Sequence, residues 1–134
     1  MGPFPSIEEA AEAARAVLAI AGGEDEIVRV AVAATILNRW RAEERSRLSL
    51  AGAAAAVLRE AAPPVQRAGL DAGASHWRAL SLVSLALAAD LPDPTKGAVR
   101  LHHHRRSPRW AQRMEPRALI GRWLFFGSPN SAGA

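Results

Sequence analysis

The 134-residue sequence contains no cysteine, which excludes disulfides, thiolate metal sites and a cysteine nucleophile and leaves the redox compartment open. It contains one lysine, Lys96, so nearly all of its positive charge is arginine. No apolar run reaches the length of a membrane span. Met1-Gly2-Pro3-Phe4-Pro5-Ser6 lacks the basic start of a secretory leader, and the acids Glu8, Glu9 and Glu12 follow at once. No signal peptide is read from this pattern, and localisation stays open. Neither an internal repeat nor a second domain is visible.

What is present is apolar and mostly small. Hydrophobic residues make up 49% of the chain, which argues against disorder. Alanine supplies much of that share; it favours helix and close packing but buries little area per residue. The core is therefore expected to rest on Val, Ile, Leu, Phe and the four Trp. The formal net charge of +4 suits an anionic partner, whether nucleic acid, anionic lipid or acidic cell-wall polymer. The length fits one domain, taken as 15–126, with 1–14 as a lead-in that opens the first helix and 127–134 as a flexible tail.

Local signals predict a mostly α chain. Ser6-Ile7-Glu8-Glu9 is a capping-box pattern and opens a helix to about Ala21, ended by Gly22-Gly23 through a left-handed glycine. A second helix starts near Glu24-Asp25, with Ile27, Val30, Ala31, Ala34 and Leu37 on one face. Arg29, Arg39 and Arg41 point outward or bind acids, and the charged run to Arg47 is solvated. A third helix spans Leu50 to Ala61, stopped by Pro63-Pro64. Val65 to Ala74 reads as loop. A fourth helix runs from about Ser75 to Ala89 with Trp77, Leu80, Val83 and Leu87 as its buried stripe. Val99 to His103 reads as a short strand or extended segment, Trp110 to Met114 as a short helix, and Leu119 to Phe126 as an apolar terminal segment. Trp40, Trp77, Trp123, Phe125 and Phe126 are assigned to the core.

One stretch carries more information than composition can supply: Asp93-Pro94-Thr95-Lys96-Gly97-Ala98, His102, Pro108 and Trp110, then Ile120-Gly121-Arg122. Pro94 fixes φ, and Gly97 permits backbone that other residues resist. This stretch, together with Gly23-Glu24, Val30 to Ala34 and Leu37-Asn38-Arg39, resembles the SleB/CwlJ-type cell wall hydrolases, the spore-cortex-lytic group with bacterial and phage relatives. The blocks fall in the family's order and span about Arg15 to Phe126. The resemblance implies a small, mostly helical fold related to lysozymes and lytic transglycosylases, to which the residues themselves add a short extended or β segment near 99–103. It also implies action on the glycan strands of peptidoglycan.

The departures bear on chemistry. Where the family carries the Glu taken as its catalytic acid, this chain has Ile20; the aromatic before it becomes Leu18, and a late His and Tyr become Trp123 and Phe126. Glycosidic cleavage needs a carboxylic acid to protonate the leaving oxygen, and isoleucine cannot supply a proton. Glu24 is the nearby acid that matches a family position, on the order of 6 Å downstream if that turn were helical; its alternative role is a helix N-terminal charge.

The remaining site expectations combine the resemblance, which carries His102 and Trp110, with the residues themselves, Arg109 belonging to a basic run of Arg100, Arg105, Arg106, Arg109 and Arg113 around Trp110. His102, Trp110 and Arg109 are candidates for substrate binding, with His102 and Trp110 as exposed members of one cleft wall. Asn38, Arg39, Asp93, Thr95, Gly97 and Gly121 are structural, and Arg39 pairs with a buried acid. His102-His103-His104 lacks an Asp, Glu or fourth His at ligand spacing, so no metal or cofactor is expected; His103 and His104 are assigned to the surface. Three functions stay open: a peptidoglycan hydrolase or lytic transglycosylase, a non-catalytic peptidoglycan-binding or structural relative of phage or prophage type, and, ranked last, an Arg-rich nucleic-acid-binding helical protein. No membrane span is expected, and action would be at the cell wall or periplasm.

Overall fold

The computed structural model describes residues 5–42, 48–62, 72–88 and 91–128, with backbone alone for 72–75. Helix α1 (Ile7–Ala21) begins where expected: the Ser6 hydroxyl accepts from the Glu9 N–H at 3.2 Å. Glu9 reaches elsewhere, accepting from the Ala51 N–H at 3.4 Å. It thereby ties the start of α1 to the first turn of α3 (Leu50–Ala61), which Ser49 caps by accepting from the Gly52 N–H at 3.0 Å. The end of α1 differs from expectation. Gly22 has φ −60°, so the helix stops without a left-handed glycine, and Glu24 N–H donates to Ala21 O at 3.0 Å to close the turn.

Helix α2 (Glu26–Ala42) starts after Asp25, whose carbonyl accepts from Val28 and Arg29. It is buried on nearly every side from Ala31 to Leu37, as an inner helix must be. Ile27, assigned to the inner face, is instead half exposed, and Val28 takes the inward position. Helix α4 (Ala72–Leu87) starts inside the stretch read as loop. Among its described side chains Ala79, Leu82 and Val83 are buried and Leu80 and Leu87 partly buried; Trp77, expected in that stripe, is 67% exposed. α1 packs on α2, α3 and α4, and α2 also packs on α3 and α4. The Pro63-Pro64 stop and the charged run 43–47 lie outside the described residues; α3 itself closes on Ala62 in a left-handed conformation, φ 43°.

The C-terminal third is a three-stranded antiparallel sheet: β1 (Arg100–His103), β2 (Glu115–Ile120) and β3 (Trp123–Gly127), in the order β1-β3-β2. A 3₁₀ helix over Arg109–Arg113 joins β1 to β2. The apolar run from Leu119 to Phe126 is therefore a hairpin, not one segment. It turns at Gly121, φ +61°, where a Cβ would also come within 3.0 Å of Val28 Cγ2. Cross-strand partners Leu101 and Phe125, and His103 and Trp123, share one face. That face completes the helical core, with Leu101, Phe125 and Trp123 almost fully buried. Arg100, His102, Leu124 and Phe126 share the other face. Among the described residues no helix is long and apolar enough to cross a membrane.

Candidate functional site

The turn from Asp93 to Ala98 is built on one carboxylate. Asp93 Oδ1 accepts from Thr95 N–H at 2.8 Å and Thr95 Oγ1 at 2.6 Å; its Oδ2 accepts from Gly97 N–H at 3.0 Å and Asn38 Nδ2 at 2.9 Å. Burial pulls this carboxyl upward, but the bonds from Thr95, Asn38 and Gly97 outweigh it and hold Asp93 below its ordinary value. Asn38 also donates to Ala98 O at 3.0 Å, so α2 grips the turn twice. Thr95 is fully buried and accepts from Ala98 N–H at 3.2 Å. Gly97, at φ +86°, carries the backbone into β1. These side chains spend their polar groups on one another, as shape-determining residues do.

Next to this turn lies a largely buried ion-pair network. Arg39 on α2 makes a two-pronged pair with Glu60 on α3, at 2.6 and 2.9 Å, and donates to Val99 O at 3.4 Å. Arg100 Nε approaches the same Glu60 carboxylate at 3.4 Å, and its guanidinium lies 5.4 Å from the centre of the Trp110 ring. Arg39 thus has the buried acid that the sequence implied, and Glu60 is a site residue that sequence reasoning missed. The signal for it was only a charge near the end of a predicted helix.

Trp110 sits on the outer face of the sheet. Its ring meets His102 edge-on at 5.6 Å and Phe126 at 5.3 Å, while His102 stacks on Phe126 at 5.0 Å. His102 was expected on an exposed wall; it is 4% exposed, because Trp110 and Phe126 close over it. Its Nδ1 lies 2.7 Å from His103 O; a carbonyl only accepts, so this nitrogen carries the proton. Trp110 is half-buried and Arg109 exposed.

Glu24 belongs to the opposite face. Trp123 Nε1 donates to Glu24 Oε1 at 3.5 Å, and His103 meets Trp123 edge-on at 5.2 Å. His103, assigned to the surface from sequence, is instead half-buried against this tryptophan; His104 is exposed. Burial, then His104, Arg105 and Arg122, push His103 below its ordinary value, against a smaller upward pull from Glu24. The Arg105 N–H donates to His103 Nδ1 at 3.2 Å, which fits a neutral ring. Alternation along β1 therefore separates the expected constellation: Glu24 meets His103 and Trp123, while His102 and Trp110 point to the other side.

Ile20, at the position where the resemblance places an acid, is fully buried among core side chains. Among the described residues no three His, Asp or Glu side chains converge as a metal site requires. An apolar groove between α1 and α4, lined by Ile7, Ala10, Leu80 and Leu87 among others, contains none of the candidate residues.

No protein-family model matches the chain, and no curated protein matches it. Among solved structures it is similar to the catalytic domain of the SleB protein of Bacillus cereus, with a TM-score of 0.67 and 23% sequence identity over 95% of both chains. A likeness at that identity concerns the backbone: a small, mostly helical, lysozyme-like domain with a short sheet. The chain shares the fold of that catalytic domain.

Proposed function

We propose that this protein is a SleB-like cell wall domain that binds peptidoglycan glycan strands without cutting them through an acid at the usual position. Ile20 carries this reading. A fully buried isoleucine neither protonates a leaving oxygen nor stabilises an oxocarbenium ion. The shared fold makes a glycan strand the ligand to test first. In this reading Arg109 and Trp110 meet the strand, and His102 acts behind Trp110 by fixing its ring. Asn38, Arg39, Asp93, Thr95, Gly97 and Gly121 hold the wall in shape.

A second reading rests on Glu24. Its carboxylate is partly buried and lies beside Trp123 and His103, an arrangement compatible with a displaced general acid in a hydrolase or lytic transglycosylase. Incubation with purified sacculi separates the two. The binding reading expects co-sedimentation without released muropeptides, weakened by Trp110→Ala and by Arg109→Gln. Muropeptide release that disappears in Glu24→Gln would install the enzyme in its place.

A further inference from the structure

We propose that the surface formed by Arg105, Arg106 and Arg122 binds the free carboxylates of peptidoglycan stem peptides, so that the domain recognises peptide-bearing glycan rather than the sugar backbone alone. This rests on the wall-binding reading above and specifies what that site takes.

From residue 96 to 128 the chain carries eight cations and one acid, Glu115. Two of the cations are committed within the fold: Arg100 to Glu60 at 3.4 Å and Arg117 to Glu115 at 3.2 Å. Arg105, Arg106, Arg109, Arg113 and Arg122 are all exposed. Backbone bonds gather three of them at one end of the sheet. Arg106 N–H donates to His103 O at 2.9 Å, and His104 N–H donates to Arg122 O at 2.8 Å, bringing the turn after β1 against the β2–β3 turn. The combined field reaches His103, which Arg105 and Arg122 both help to push downward. Arg109 and Arg113 lie on the 3₁₀ helix that follows, which Trp110 anchors to His102 and Phe126.

Guanidinium groups bind carboxylates and phosphates alike through paired N–H donors; in the wall-binding reading the polymer is peptidoglycan, and the anions it presents are stem-peptide carboxylates.

The test uses the full chain and three matrices: intact sacculi, sacculi whose carboxylates have been amidated with carbodiimide and methylamine, and random-sequence duplex DNA. Intact sacculi should bind the protein, and amidation should weaken binding roughly tenfold, as the loss of several exposed ion pairs implies. Arg105→Gln/Arg106→Gln should weaken binding to intact sacculi but not to amidated sacculi, with an unchanged circular dichroism spectrum. Equal binding to intact and amidated sacculi overturns the carboxylate assignment and leaves the wall reading standing. Absence of binding to both overturns both. Tighter binding to DNA than to intact sacculi overturns the assignment in favour of a nucleic acid partner.

Discussion

Asp93 accepts four hydrogen bonds with two oxygens, which an amide with one acceptor oxygen cannot do. Asp93→Ala is expected to cost about 1–2 kcal/mol, discounted for the solvent that reaches its outer edge, with a lower urea midpoint as the readout. The pH dependence follows from its lowered pKa. A carboxylate whose folded value lies below its unfolded value stabilises fully above the unfolded value, here 3.8, and loses that contribution as pH falls through the folded one. The wild type should therefore lose stability below pH 3.8 more steeply than Asp93→Ala; parallel acid titrations would contradict this. Ile20 gives the opposite case. Ile20→Glu places a carboxyl in a fully buried site, so its folded pKa rises. The variant should melt lower than wild type, with a deficit that grows as pH rises from 5 to 8. A deficit independent of pH would mean that the new side chain reaches water, and a restored acid at this position would then become tenable.

At the scale of elements, Glu60 joins α2, α3 and β1 through Arg39 and Arg100. The pair is largely buried, and removing one partner of such a pair leaves charge with little solvent to stabilise it. Glu60→Gln should cost about 2–3 kcal/mol, below the range for fully buried pairs because some water reaches this one. Arg59→Ala, one residue away but exposed, should stay within about 0.5 kcal/mol. Chemical denaturation of the two variants checks both. The start of α1 was legible in sequence because it is local chemistry, Ser6 capping the helix that follows; Ser49 does the same for α3 without having been read as a cap. The hairpin was not legible, because β3 is the middle strand. Trp123, Phe125 and Phe126 are all buried although they lie on two faces, and burial on both faces erases the alternation that marks a strand. For the same reason, exchanging the environments of His102 and His103 needed only a wrong assignment of face, which register decides and sequence does not. Trp77 failed differently: its size argued for burial, but the inward face of α4 is set by Ala79, Leu82 and Val83.

Charge is distributed unevenly over the whole molecule. Six acids fall within the first 26 residues, from Glu8 to Glu26, whereas the last third holds five exposed arginines with few acids nearby. Like charges held together by a fold repel, and salt screens exposed charges more effectively than buried ones: the screening length falls to about 8 Å at 0.15 M. The attractive pair that matters most, Arg39–Glu60, is largely buried and loses little to that screening. Repulsion among Arg105, Arg106 and Arg122 is exposed and is relieved. The two effects have opposite signs, and their burial decides between them: the melting temperature at pH 7 should rise as sodium chloride increases from low salt to about 0.15 M. Arg105→Gln/Arg106→Gln should flatten that rise by removing the repulsion while leaving the buried pair intact. A melting temperature that falls with salt in the wild type would mean that attraction between the acidic amino-terminal segment and the basic sheet outweighs repulsion within the sheet.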